Sequence, residues 1–343
     1  MKFLPPFLAV SAAFTLAGSA FGQNATTTPV GAVTVTIAAG TGTAKVRSLV
    51  SVPLLASTSI NGMSSGAIAA VTSNSITCSG AGWSTGELST SSSPYLVRIT
   101  SGSALGYTFL ISTTTPNTSD TLYLDTGEAS LLDFVSAGVA SGDKFEIRPC
   151  DTLSSVFGTP QTTGVVGAAA PAQADTLVVN GTNGLPGTYY YNTTLGRWTK
   201  QAFGNPDASN LPIRPDAGIL FARIGNSQLS ITVTGEVPTL DRQASIRNSG
   251  VTYFSNSWPT DQTLSSLGLE SVSGWLAGAT PATSDIVVIG TSNYYYDGTN
   301  WRRQAFGNPI SNPTITSGQS VIISKKGTAS GVSNLSQTRP YSL

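Results

Sequence analysis

No histidine occurs anywhere in the 343 residues. Its absence excludes Ser-His-Asp and Cys-His catalysis, histidine-ligated zinc and imidazole acid–base chemistry. Two cysteines are too few for a four-thiolate metal site. Charged residues make up 10% of the chain, against about 25% in an average soluble domain. The closest basic runs are the pairs Arg302-Arg303 and Lys325-Lys326, which give no patch for nucleic acid. No Gly-rich phosphate loop with its lysine and no nucleophile elbow is found. These absences leave the chain with no catalytic motif and no expected metal or cofactor.

Hydrophobic content is ordinary at 40%. The missing charge is replaced by Ser, Thr, Gly and Asn, and the helix formers Glu, Lys and Arg are scarce throughout. Such a composition suits many short strands joined by small-residue turns. The expected class is all-β: a small β-barrel or sandwich N-terminal domain followed by two repeated β-sandwich-like units. Lys plus Arg and Asp plus Glu balance at 17 each. A near-neutral surface gives little repulsion between copies and favours self-association.

Residues 1–22 read as a secretory signal. Lys2 supplies the positive start, a mostly apolar stretch runs from Phe3 to Ala17, and Ala20-Phe21-Gly22 places small residues at the cleavage position. No later run reaches the ~18 apolar residues of a membrane span. The mature chain is therefore expected outside the cytoplasm, in periplasm, surface or medium, with no transmembrane segment. In such a compartment Cys78 and Cys150 are a disulfide candidate, closing a loop of about 70 residues and contributing ~4 kcal/mol. The alternative is two separate buried thiols.

The second half of the chain is duplicated. Asp175–Val179, Tyr189-Tyr190-Tyr191, Trp198 and Gln201-Ala202-Phe203-Gly204-Asn205-Pro206 return as Asp285–Ile289, Tyr294-Tyr295-Tyr296, Trp301 and Gln304-Ala305-Phe306-Gly307-Asn308-Pro309. Thr152-Leu153-Ser154-Ser155 matches Thr263-Leu264-Ser265-Ser266, and Ile219-Leu220-Phe221 matches Val321-Ile322-Ile323. The offset falls from 111 at the threonines to 102 at the last pair, so loops shorten within a shared scaffold. Repeat A is bounded at 151–239 and repeat B at 240–343.

Residues 23–150 form the expected N-terminal β-domain. Val30 to Ile37 alternates as a strand, Asn61-Gly62 marks a turn, and Tyr95–Ile99, Tyr107–Ile111, Thr121–Leu124 and Lys144–Arg148 are strand candidates. Leu131–Ala137 reads as one or two helical turns. Ser51-Val52-Pro53 resembles Ser257-Trp258-Pro259, which raises the alternative that 66–148 is an insertion into the first repeat.

Carboxylate chemistry needs no histidine, so Asp125/Glu128, Asp143/Glu146, Asp175 and Asp285 are candidates for a glycosidase or lyase. Asp175 and Asp285 stand at equal places before strands, where a turn or cap is the commoner role. Asp297-Gly298-Thr299-Asn300 is the best calcium stretch, although Asp-Gly is foremost a hairpin turn. The aromatic hairpins invite a sugar platform built from Tyr190, Trp198, Tyr295 and Trp301. Strand alternation puts Tyr189 and Tyr191 on one face and Tyr190 on the other, with Trp198 across the turn. The competing reading is core and cross-strand packing.

The leader, the Ser51-Val52-Pro53 strand, Gly142–Pro149 (Gly-Asp-Lys-Phe-Glu-Ile-Arg-Pro), the Thr-Leu-Ser-Ser segments and the Tyr-rich hairpins with Trp together resemble an uncharacterised family of secreted, β-rich bacterial proteins. The resemblance spans residues 45–340. It implies an extracytoplasmic place, and it implies no activity and no functional residues. The expected function is an exported structural or surface-associated protein that assembles with itself. The alternative is an extracellular carbohydrate-binding module with cell-envelope glycan as partner, and below that a carboxylate-dependent glycosidase or lyase.

Overall fold

A computed structural model describes residues 28–56, 66–125, 132–180 and 186–342. The expected leader at 1–22, the Asn61-Gly62 turn and Glu128 lie outside the described residues. Strand accounts for 39% and helix for 6%, so the chain is all-β. No helix among the described residues is long and apolar enough to cross a membrane.

Two five-stranded antiparallel sheets repeat one plan. The first runs in the order Arg197–Lys200, Pro186–Asn192, Thr176–Asn180, Ile219–Arg223, Val46–Val50. The second, read from its matching edge, runs Trp301–Arg303, Ser292–Tyr296, Ile286–Ile289, Ser320–Lys325, Gly250–Ser255. Each is accompanied by a two-stranded ribbon, Val30–Ile37 with Leu229–Glu236 and Arg242–Arg247 with Val332–Gln337. Each also has a two-residue pair, Asp151–Thr152 with Pro212–Ile213 and Gln262–Thr263 with Thr314–Ile315. The alternating residues of Leu229–Glu236 explain its role: Leu229, Ile231 and Val233 enter the core while Ser230, Thr232 and Thr234 face water.

The Thr-Leu-Ser-Ser match is a capping box made twice. Ser155 N donates to Thr152 Oγ1 at 3.2 Å while Thr152 N donates to Ser155 Oγ at 2.8 Å. Ser266 and Thr263 repeat this at 3.2 and 2.9 Å. Two backbone donors at a helix start are satisfied each time.

Val30–Ile37 and Val46–Val50 fall within 23–150 on sequence, yet they hydrogen-bond to strands of 151–239. The first sheet thus draws strands from both sides of residue 150. The registers also correct one match. Val50 lies opposite Ile219 and Phe254 opposite Val321. Since Ile219 and Val321 are equivalent, Ser51 corresponds to Ser255 and not to Ser257. A two-residue slip preserves which side chains face inward, so residue similarity alone does not detect it.

The intervening segment holds a four-stranded sheet, Gly66–Ala67, Lys144–Pro149, Tyr95–Ile99, Thr108–Leu110, and a three-stranded one, Ala70–Val71, Ser75–Thr77, Thr121–Tyr123. They enclose a core of Ile76, Ile99, Leu122, Phe134, Phe145 and Ile147. Among the described residues the sheets meet at the bridge Ile111–Leu124, where Ser112 N donates to Tyr123 O at 2.8 Å and Asp125 N to Leu110 O at 2.9 Å, and at the corner Ile68-Ala69. The described strands fall into two sheets without barrel closure, so the barrel alternative gives way to open sheets. Phe134 to Gly138 form a turn, with no helix among the described residues there.

The expected disulfide is corrected as well: Cys78 and Cys150 do not lie at disulfide distance and are not bridged to each other. Cys78 follows the three-stranded sheet, whereas Cys150 leaves the four-stranded one beside Ile213, its thiol 3.6 Å from that carbonyl. Burial pushes the Cys78 thiol above its ordinary pKa, which suits an inert side chain rather than a reactive one.

The two repeated sheets meet at a seam with local two-fold character. Ser51 N donates to Gly318 O at 2.8 Å, and the equivalent Ser255 N donates to Asp216 O at 3.1 Å. The bridges Val50–Gln319 and Ala217–Phe254 exchange the roles of the two units in the same way.

Candidate functional site

Asp175 and Asp285 are buried staples. Asp175 Oδ2 accepts from Val166 N at 2.8 Å and Oδ1 from Ile224 N at 2.8 Å. Asp285 repeats this with Leu276 N at 2.9 Å and Lys326 N at 2.8 Å. Each carboxylate ties the turn before a central strand to the end of the neighbouring strand. Arg223 adds a third, charged bond to Asp175 at 2.8 Å. The equivalent position in the second unit is Lys325, whose pKa is lowered by burial and held up by Asp285.

The other carboxylate candidates do not converge. Asp143 accepts from Ala140 N at 2.9 Å and closes a turn. Glu146 is held by Arg98 at 3.2 Å and Arg148 at 2.6 Å, and Arg148 reaches on to Glu236 at 2.7 Å. This buried network joins the intervening segment to the first unit. Asp125 is buried, its own N–H donating to Leu110 O at 2.9 Å. Asp297 receives Thr299 N at 2.8 Å and Asn300 N at 2.7 Å, and it pairs with Arg302. The Asn300 amide, then Arg302, then the Thr299 amide lower its pKa to about 2. Its oxygens are thus occupied by donors, as in a hairpin turn.

The four aromatic candidates are all buried: Tyr190 is 1% exposed, Trp198 1%, Tyr295 0% and Trp301 3%. An aromatic sugar platform needs an open ring face, and none of the four offers one. Trp198 packs edge-on to Tyr191 at 5.9 Å and to Phe157 at 6.2 Å, and its Nε1 donates to Gly158 O at 2.7 Å. Trp301 meets Tyr296 at 5.5 Å and Trp275 at 5.8 Å. Tyr189 and Tyr191 join the core cluster of their unit, as Tyr294 and Tyr296 do in theirs. Tyr190 lies outside that cluster and donates to Asn205 Oδ1 at 3.1 Å.

That last bond leads to the hexapeptide repeated in both units. In Gln201–Pro206 the Asn205 N–H donates to Ala202 O at 3.0 Å, and Gly204 has φ 78. This is a type II turn with Phe203 at its first corner. Gln304–Pro309 repeats it: Asn308 N donates to Ala305 O at 2.9 Å, with Gly307 at φ 76. Asn205 and Asn308 are the only non-glycine residues with positive φ among those described. The bases are anchored, Lys200 N to Pro206 O and Arg303 N to Pro309 O, both at 3.0 Å. The tips are not: Phe203 and Phe306 are 104% and 106% exposed. The signal available in sequence was the identity of the two hexapeptides.

Protein-family models, curated proteins and solved structures yield no match to this chain.

Proposed function

We propose that the chain is an exported structural protein that assembles with itself at the cell surface or envelope. The observation that carries this reading is the fate of the residues kept in both units. Asp175 and Asp285 staple strands, and the Tyr and Trp side chains fill cores or brace turns. A duplication maintained for packing and presentation suits a scaffold, and the near-zero net charge removes a barrier to close contact between copies. Asp143, Asp175, Asp285 and Asp297 are bound to backbone amides in separate places and Glu146 is neutralised by Arg98 and Arg148, which supports a scaffold over a pair of acids flanking a glycosidic bond. Sedimentation velocity of the purified mature chain at rising concentration tests the reading. Growth of large species with concentration is expected, with the native protein recovered in an extracytoplasmic fraction. A single monomeric boundary throughout would end it.

A further inference from the structure

A type II turn explains the glycine, asparagine and proline of the repeated hexapeptide. It does not explain phenylalanine, because its first corner favours proline and accepts most residues. One exposed apolar side chain is ordinary on a protein surface. Here the same residue stands free at the same corner of the same turn in both units. The strands beside it have meanwhile diverged, Arg197–Lys200 against Trp301–Arg303. Both turns follow the outermost strand of their sheet, on the edge away from the seam. The molecule thus carries two apolar fingers with fixed bases, one per sheet.

A complementary surface lies at the seam. A groove of about 610 Å³ is lined by Leu49 and Leu220 of the first sheet and Val288 and Ile322 of the second. Leu49 is the register partner of Leu220, and Val288 that of Ile322. All four are only half-buried. They supply the apolar part of a concave site of the size that takes a small-molecule or side-chain ligand, whose remaining lining is polar, with Thr36, Arg47, Thr316 and Gln319 among it.

We propose that Phe203 and Phe306 of one copy insert into the seam groove of other copies. Finger and groove are different surfaces of one chain, so a copy whose groove is filled still has its own fingers free for a further copy. An apolar finger meeting a pocket elsewhere on the same molecule generates an open assembly. Balanced charge opposes neither partner. The inference rests on the self-assembly reading above and names its contact.

The test uses three full-length mature chains, each confirmed folded by an unchanged melting profile: unmodified, Phe203→Ala/Phe306→Ala, and Thr36→Arg/Thr316→Arg at the groove rim. Sedimentation is expected to show large species only for the first. Each Phe→Ala is expected to weaken self-association roughly tenfold or more. An equimolar mixture of the two variants retains one set of fingers and one open groove, so it is expected to form small finite complexes. If the finger variant assembles as well as the unmodified chain, the proposed contact is wrong and self-assembly stands. If the unmodified chain stays monomeric at every concentration, both readings fall. That includes the case in which the two Phe residues bind it instead to phosphatidylcholine vesicles.

Discussion

The two units reach one fold with unequal supports. The first is interrupted after Val46–Val50 by the intervening sheets, which clamp onto it through Arg148 and Glu236. The second runs from Gly250–Ser255 to Gln262–Thr263 within a few residues. Asp175 has a guanidinium partner at 2.8 Å, and Asp285 has only backbone donors as direct partners. Trp198 donates to Gly158 O, whereas Trp301 Nε1 finds no acceptor among the described residues. Asn192 Oδ1 receives Thr194 N at 3.0 Å and Leu195 N at 3.1 Å. Asp297 fills the same corner with a charged group. What both units keep are the backbone-directed bonds: the carboxylate staples, the capping boxes and the type II turns. Backbone geometry is common to both, so groups that bind backbone are the hardest to exchange. Side-chain partners are local and can be replaced.

The largest test of this comparison is the staple. Asp175→Ala leaves two amides without an acceptor and Arg223 buried without its anion, an expected cost of about 3–5 kcal/mol. Asp285→Ala removes the two amide bonds and is expected to cost roughly 2–3 kcal/mol. Urea unfolding of the two variants checks the order. Equal losses would show that the guanidinium adds nothing.

Tryptophan is the next contrast. Trp198→Phe gives up a buried hydrogen bond that Trp301→Phe does not, so it should cost about 1 kcal/mol more. Thermal unfolding of the pair reads the difference, and the reverse order would break the comparison.

Acid sensitivity separates the two hairpins. The folded-state pKa of Asp297 lies near 2, below the unfolded value of about 3.9. Its stabilisation is therefore complete above the unfolded value and fades as pH falls through about 2. Asn192 does not titrate. Replacing Asp297 by Asn should flatten the acid limb of the stability curve, and an unchanged limb would assign that sensitivity elsewhere.

The smallest effect concerns the interruption, which carries Cys78 and Cys150. With no bridge between the two cysteines, dithiothreitol should leave the melting temperature unchanged, and the unfolded unreduced chain should titrate two thiols. A drop on reduction would restore the bridge and tie the stability of the first unit to it.

Much of the fold is legible residue by residue. Val30–Ile37 and Leu229–Glu236 alternate, and they form the two strands of one ribbon. The Tyr triplets split between two faces as period two requires. The duplication marks the central strands of both sheets. Illegible were the partners of Val46–Val50, which lie about 170 residues away in sequence (Ile219–Arg223), and the two-residue slip at Ser51. The aromatic hairpins looked like binding surfaces because alternation exposes one face of an isolated hairpin. Here both faces are covered. Phe203 escaped notice because exposure depends on everything that fails to approach a residue.

Local chemistry alone determined the class, the repeated units, their turns and the absence of histidine-based catalysis. These follow from composition, from strand periodicity and from the conformations open to Gly, Asn and Pro, all short-range properties. Tertiary structure alone decided which distant strands share a sheet, that Asp175 and Asp285 bind backbone, that the thiols lie apart, and that two phenylalanines face water on the sheet edges away from the seam groove. Those depend on long-range pairing and burial, which a single chain read in order does not specify.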